Sequence, residues 1–241
     1  TVDDRGVAVI TFAHPRSNSL PGAVLAELAD TIRGLGDRSD VRVVVLGSAG
    51  DRAFCAGASF DELVSISDEA EGLRFFMGFA NVINAMRSIP QLVIGRVQGK
   101  AVGGGVGVAS AVDYCLATKH AAVKLSELAV GIGPFVVGPA VERKLGVSAM
   151  SQLAIDATEW RSAEWAAAQG LYASVHDDAT ALDVAVEALA GRLAASNPEA
   201  MAEMKATFWR GTEDWDDLLA ERAAISGRLV LSDFTRQAIA R

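Results

Sequence analysis

The chain has 241 residues, of which 51% are hydrophobic and 22% are charged. It can therefore bury a large core, and it is not expected to be disordered. The formal net charge of −8 argues against general binding to nucleic-acid backbones, which requires a basic surface. No segment approaches the roughly 20 uncharged apolar residues of a membrane-spanning helix. We therefore expect no nucleic-acid or membrane partner.

Two cysteines, Cys55 and Cys115, lie in apolar segments that are typical of strands. Such a pair is typical of buried free thiols in a reducing compartment and does not indicate a disulfide framework. The N-terminal residues also lack the basic and apolar pattern of a secretory signal. These features predict a cytoplasmic protein.

The first half of the chain alternates between strands and helices. A strand over 7–12 precedes a helix whose apolar face carries Leu25, Leu28, Ile32 and Leu35. The nearly all-apolar segment 41–46 is typical of a strand that is covered on both faces. Further strands are predicted at 92–97, 114–118 and 122–125, with a helix over 73–87. The recurring order of strand, strand and helix predicts an α/β spiral of stacked turns rather than one doubly wound sheet.

The second half is predicted to be helical. Helices are expected over 139–145, 148–157, 162–168 and 179–195, and the last stretch carries apolar residues at helical spacing. We divide the chain into a spiral core, residues 1–190, and a C-terminal helical region, residues 191–241. This region is expected to pack on the core or on a neighbouring subunit.

The sequence Ala-Phe-Cys-Ala-Gly-Ala at residues 53–58 follows the strand predicted at 41–46. Gly57 permits a tight turn, which would direct the Ala58 amide outward rather than into a sheet. Ligands commonly bind where strands end. The alternative is a turn that binds nothing.

A second glycine-rich turn, Gly103, Gly104 and Gly105, lies between a predicted strand ending at Val102 and a helix starting near Val106. Unpaired amides at a helix N-terminus stabilise negative charge. The Gly104 amide could therefore join that of Ala58 in an oxyanion hole, where removing one donor typically costs about 3 to 4 kcal/mol of barrier. The alternative is that the glycines only allow close packing.

Glu127 lies among apolar residues just before Gly131. Burial would raise its pKa toward that of a useful general base, whereas a solvated carboxylate at a sheet edge is the alternative. The three histidines are scattered, with no nucleophile and no metal-ligand spacing around them. We expect no metal site.

Together these segments resemble the enoyl-CoA hydratase/isomerase, or crotonase, superfamily. The resemblance spans residues 5–170 and includes the Pro-Arg-Ser-Asn-Ser-Leu segment at 15–20, both glycine turns and the segment from Leu125 to Gly131. It implies a crotonase-like spiral of ββα units whose C-terminal helices form trimers or hexamers. It also implies an acyl-CoA thioester as substrate, with no separate cofactor.

The resemblance assigns catalytic roles to Ala58 and Gly104, which would bind the thioester carbonyl, and to Glu127, which would transfer a proton. It places the following residues around the coenzyme and the acyl group: Arg16, Arg52, Ala56 and Phe60. Phe135 would form a bulky wall, because Gly133, Pro134 and Phe135 replace a glycine-rich turn of hydratases.

Two positions depart from the family pattern. Ser59 replaces an acidic residue, and Gly107 falls where hydratases carry the first of two glutamates. A single carboxylate suits proton transfer between two carbon atoms better than addition of water. We therefore favour an isomerase-like reaction, with decarboxylation or thioester hydrolysis on the same fold as the alternatives. A non-catalytic acyl-CoA-binding subunit is the alternative from another class.

Overall fold

The structure, a computed structural model, describes residues 1–239. Within them lie eight strands: β1 (Val7–Phe12), β2 (Val43–Ser48), β3 (Ala53–Cys55), β4 (Leu92–Val97), β5 (Lys100–Val102), β6 (Tyr114–Thr118), β7 (Val123–Lys124) and β8 (Ser174–His176). The same residues form ten α-helices: α1 (Gly22–Gly36), α2 (Phe60–Ser65), α3 (Glu69–Ser88), α4 (Gly104–Ala111), α5 (Gly138–Ile155), α6 (Ala163–Ala168), α7 (Ala179–Ala194), α8 (Pro198–Phe208), α9 (Trp215–Leu229) and α10 (Asp233–Ile239).

The strands form two parallel sheets. The larger sheet has the order β1-β2-β4-β6-β8, and the smaller has the order β3-β5-β7. Three pairs of consecutive strands, β2 and β3, β4 and β5, and β6 and β7, each place their first strand in the larger sheet and their second in the smaller sheet. An α-helix follows each of the first two pairs, and a 3-10 helix, Leu128–Val130, follows the third. This arrangement confirms the predicted α/β spiral of repeated ββα units.

Strand β2 is apolar on both faces because both faces are buried. Val44 and Leu46 face the main core, whereas Val43 and Val45 pack in a second cluster against Leu182 of α7. Both faces of the larger sheet are therefore covered, as predicted. The strand begins at Val43 rather than at 41, because its pairing with β1 starts at Val7 opposite Val43.

Each sheet contains one of the two cysteines. Cys55 ends β3 and Cys115 lies in β6, and both are free and buried, as predicted. Burial raises the pKa of each thiol to about 12. Both cysteines are therefore protonated and unreactive at neutral pH.

The helices of the second half occur where they were predicted. Gly146 has a φ of 80° and interrupts α5, which explains why the sequence predicts two helices there. Helix α7 crosses the proposed boundary at residue 190, so this boundary falls inside a helix. Among residues 1–239 we find no helix with the length and apolar character needed to cross a membrane.

Helix α9 packs on α3 of the same chain. A Cβ atom at Gly72 would lie 2.6 Å from the carbonyl oxygen of Gly227, so the two helix backbones are in direct contact. The C-terminal helices thus cover the core, which was one of the two predicted arrangements. Their role in trimers or hexamers stays a prediction.

A buried ion pair attaches α8 to the larger sheet. Lys205 Nζ lies 3.1 Å from Asp113 Oδ2 and donates to the carbonyl of Gln91 at 2.7 Å. Asp113 also accepts from the indole of Trp209 at 2.8 Å and from the amide of Val93 at 2.8 Å. Burial lowers the pKa of Lys205, an effect that the Asp113 carboxylate opposes.

We expect Lys205→Met to destabilise the protein by about 3 to 5 kcal/mol, because it leaves the Asp113 carboxylate buried without its cation. Arg33→Ala, which removes an exposed pair with Asp30, is the matched control and should change stability by less than about 1 kcal/mol. Urea unfolding of both variants checks this. Equal, small losses in the two variants would show that the buried pair does not hold α8.

Candidate active site

A cavity of about 190 Å³ lies at the end of the smaller sheet. Its walls come from both glycine turns, from the segment 126–137, from apolar side chains of α2 and α3, and from one residue of α9. Of the described residues that line it, Glu127 alone has an ionisable side chain. The cavity is therefore largely apolar, with few polar groups that could orient a ligand.

The first turn needs glycine at residue 57. Gly57 has a φ of 87°, and a Cβ atom there would lie 2.8 Å from the carbonyl oxygen of Val102 and 3.6 Å from the amide nitrogen of Gly104. The two turns, which are far apart in the sequence, are therefore in direct backbone contact. Ala58 and Gly104, one from each turn, both line the cavity.

The segment 14–20 holds the first turn in place. The Ala56 amide donates to the carbonyl of Ser17 at 3.1 Å, and the Leu20 amide donates to the carbonyl of Gly57 at 2.8 Å. The Asn18 side-chain amide donates to the carbonyls of Ala49 and Ala53 at 2.8 and 2.9 Å. Within residues 1–239 the Ala58 amide has no hydrogen-bond acceptor, so it is free to bind a ligand oxygen.

Asn18 is a structural residue of the site that the sequence analysis did not identify. Both Ser17 and Asn18 have positive φ values, 52° and 56°. Asparagine tolerates this left-handed conformation better than most residues. An asparagine in a turn after a predicted strand is the signal that could have indicated it.

The second turn forms the N-terminus of α4. Gly103 has a φ of 52°, and its amide donates to the carbonyl of Lys124 at 2.8 Å. The helix begins at Gly104, two residues earlier than predicted, because Gly103 already serves as its N-cap. A Cβ atom at Gly104 would overlap the ring of Phe79. The Gly104 amide is one of the unpaired donors at a helix N-terminus, where the helix dipole favours negative charge.

Glu127 lies against this second turn. A Cβ atom at Gly103 would be 2.9 Å from Glu127 Oε1, and no hydrogen-bond partner for the shielded Oε2 is found in the described part of the chain. The residue as a whole is half-buried. Desolvation raises the pKa of the carboxyl group to about 7. The carboxyl group is therefore buried rather than solvated, and at neutral pH it can both accept and release a proton.

The other predicted site residues fall into two groups. Ala56 lines the cavity, and so does Phe60, which is 50% exposed. Arg16 forms an exposed ion pair with Asp61 at 2.6 Å and lies outside the lining. Arg52 is exposed and also lies outside it. The roles of these residues toward a coenzyme stay predictions.

Phe135 does not line the cavity, although its neighbour Pro134 does. Its ring packs over Gly133, where a Cβ atom would lie 2.7 Å from Phe135 Cε2. The wall predicted at this position is thus formed by Pro134 together with Val136 and Val137. A contact of Phe135 with the substrate stays a prediction.

The sequence analysis missed the walls that come from helices. Phe76 and Phe79 of α3 line the cavity, and their spacing on one apolar helix face is a signal that could have indicated a wall. Ser226 of α9 also lines it. No local signal identifies Ser226, because its position depends on the packing of α9 on α3.

Comparison with known proteins agrees with the resemblance found in the sequence. The model of the family described as "Enoyl-CoA hydratase/isomerase" matches residues 3–237. The short-chain-enoyl-CoA hydratase of Clostridium acetobutylicum is 28% identical over 97% of this chain and 89% of that protein. The ethylmalonyl-CoA decarboxylase of Xenopus laevis is 28% identical over 54% of this chain. The latter match covers 44% of the decarboxylase, so the chain spans about half the length of several curated relatives that it matches.

The fold is also found in solved structures. An enoyl-CoA hydratase from Mycobacterium avium subsp. paratuberculosis K-10 superimposes with a TM-score of 0.88 at 26% identity, over 100% of this chain and 96% of that one. The family match covers nearly the whole chain, and the two glycine turns and Glu127 surround one cavity. This protein therefore belongs to the enoyl-CoA hydratase/isomerase family, within the crotonase superfamily.

Proposed function

We propose that this protein is an acyl-CoA thioester enzyme that moves a double bond through an enolate, as an isomerase does. The observation that carries the proposal is the carboxyl group of Glu127 in the cavity lined by Ala58 and Gly104, whose shielded Oε2 has no hydrogen-bond partner among residues 1–239. The names of the relatives, a hydratase and a decarboxylase of CoA thioesters, support the choice of substrate class.

In the proposed reaction, the amides of Ala58 and Gly104 donate to the thioester carbonyl oxygen of a 3-enoyl substrate. The Glu127 carboxylate removes a proton from C2, and the electrons of that C–H bond form a dienolate whose charge rests on the oxygen. The same carboxyl group then returns the proton to C4, which leaves the double bond between C2 and C3. The two amides stabilise the charge as it develops, which is the main source of catalysis in such sites.

Addition of water is disfavoured by the absence of a second acid. Gly107 stands where hydratases carry the first glutamate, and the space beside it is filled. A Cβ atom at Gly107 would lie 2.5 Å from Cγ1 and 2.6 Å from Cβ of Val137, which lines the cavity. Val137 therefore takes the space that a side chain at residue 107 would need.

The size of the cavity favours a short acyl group. Ligand pockets for drug-sized molecules are typically about 300 to 1,000 Å³, and the cavity here is about 190 Å³. An apolar cavity of about 150 Å³ is known to hold benzene, so an acyl chain of about six carbons fits.

The function is tested by incubating the protein in deuterated water with short 2-enoyl, 3-enoyl and carboxylated acyl-CoA thioesters, followed by mass spectrometry. The expected product is the isomer with the shifted double bond, which carries deuterium at C4 wherever the Glu127 carboxyl proton exchanges with solvent before it is returned. Added water would instead identify a hydratase, lost carbon dioxide a decarboxylase and free CoA a hydrolase. Binding of the thioesters without any product would indicate a non-catalytic binding subunit.

Glu127→Gln should lower turnover by about 10²- to 10⁴-fold, because the amide keeps the shape of the carboxyl group but cannot take up the proton. Binding of a saturated acyl-CoA should change little. Glu164→Gln, which alters an exposed glutamate of α6, is the control and should keep full activity. Steady-state kinetics and calorimetry provide both readouts, and undiminished turnover in Glu127→Gln would exclude this residue as the base.

The pH dependence follows from the pKa of Glu127, which burial raises to about 7. The ionised form is the base, so kcat/KM should rise with pH up to about 7 and then level off. Below the midpoint it should fall about tenfold per pH unit. A profile that is flat between pH 5 and pH 9 would contradict the assignment.

Gly107→Ala should destabilise the protein by about 1 to 3 kcal/mol, because its Cβ atom would overlap Val137. Gly34→Ala is the matched control, since a Cβ atom there has nothing within 4 Å. The control should stabilise the protein by up to about 1 kcal/mol, as expected for alanine in place of glycine in a helix. Urea unfolding measures both, and equal stabilisation of the two variants would show that residue 107 has room for a side chain.

A further inference from the structure

Ser226 carries a buried, unsatisfied polar group at the cavity wall. It lies in α9, is 1% exposed and lines the cavity wall. Among the described residues its hydroxyl oxygen has no hydrogen-bond partner. Ser126 also lines the cavity but is only half-buried. Ser226 Oγ and Glu127 Oε2 are therefore the two side-chain atoms of this site that are shielded from solvent and have no partner among the described residues.

The Ser226 hydroxyl is not satisfied by its own helix. A serine in a helix can donate to a carbonyl about one turn back, and Ser151 of α5 does so, to Ser148 at 2.9 Å. Ser226 makes no such bond within residues 1–239. A buried polar group without a partner lowers stability, so a ligand that supplies the partner gains affinity.

The position of Ser226 is fixed by its neighbour. Gly227 touches the backbone of α3, where a Cβ atom at Gly227 would lie 2.6 Å from the amide nitrogen of Leu73. Because the helix backbones are in contact, α9 cannot rotate about its axis without losing this packing. Ser226 is therefore held at a defined place on the cavity wall.

The charges of the cavity limit what this group can recognise. Among the described lining residues there is no lysine, arginine or histidine, and the one ionisable group is the acid Glu127. A carboxylate on the acyl chain would be buried without a cation and next to another acid, which is strongly unfavourable. A neutral oxygen carries no such penalty.

We propose that Ser226 is a specificity-determining residue that forms a hydrogen bond with a neutral oxygen, a hydroxyl or keto group, on the acyl chain. The preferred substrates are then short, oxygen-substituted acyl-CoA thioesters rather than plain hydrocarbon or carboxylated ones. This inference rests on the proposed function. The apolar walls of Phe76 and Phe79 hold the carbon chain, and Ser226 selects for its substituent.

The test compares binding of butanoyl-, hydroxybutanoyl- and succinyl-CoA to the wild-type protein and to Ser226→Ala by calorimetry. The wild type should bind hydroxybutanoyl-CoA, in at least one positional isomer, about tenfold or more tightly than the other two. Ser226→Ala should lose this preference and bind butanoyl-CoA as well as the wild type does. Its melting temperature should be unchanged or higher, because an unpaired hydroxyl is removed.

Ser110→Ala is the matched control. Ser110 is also 1% exposed and unpaired among the described residues, but it does not line the cavity. This variant should keep the wild-type preference, which separates recognition by Ser226 from the general effect of removing a buried hydroxyl.

The outcomes distinguish the two proposals. A wild-type protein that binds no CoA thioester would overturn the proposed function and this inference with it. Binding of all three thioesters without discrimination, or a preference that survives in Ser226→Ala, would overturn only the role of Ser226. Tightest binding of succinyl-CoA would also overturn it, because the cavity was argued to exclude carboxylates.

Discussion

The close approach of Gly57 to the carbonyl of Val102 is the constraint on which the site depends. It brings a turn after β3 against a turn after β5, and these adjacent strands belong to the same small sheet. Any side chain at residue 57 would separate the turns and the two amides they present. The ββα spiral makes this contact possible, because successive ββα units place equivalent strands and turns next to one another.

The candidate site contains several polar groups without a hydrogen-bond partner in the described part of the chain. The amide of Ala58, Oε2 of Glu127 and the hydroxyl of Ser226 have no partners within residues 1–239. Each of them lowers the stability of the empty protein. The buried pair of Lys205 and Asp113 and the apolar packing on both faces of the larger sheet contribute stability elsewhere in the molecule.

Local patterns predicted much of this molecule. The sequence predicted the apolar segment of β2, the glycine-dependent turn at Gly57 and the unpaired amides at the start of α4. At each of these places few other residue types could form the same structure. Glu127 could be predicted because an acid among apolar residues has few structural roles. Val137 and Ser226 could not be identified, since their roles arise from partners far away in the sequence, whereas the position of Asn18 in a turn could have indicated it. The packing of the Phe135 ring over Gly133 likewise could not be predicted from the local sequence.

The cavity takes its walls from segments that are widely separated along the chain, from Ala56 to Ser226. Both sheets are also parallel, so every strand pairing joins residues that are distant in sequence. Contacts of this kind form slowly, because the entropy of closing long loops must be overcome first. We therefore expect the site to form late during folding. During refolding, recovery of ligand binding should lag behind the recovery of helical structure.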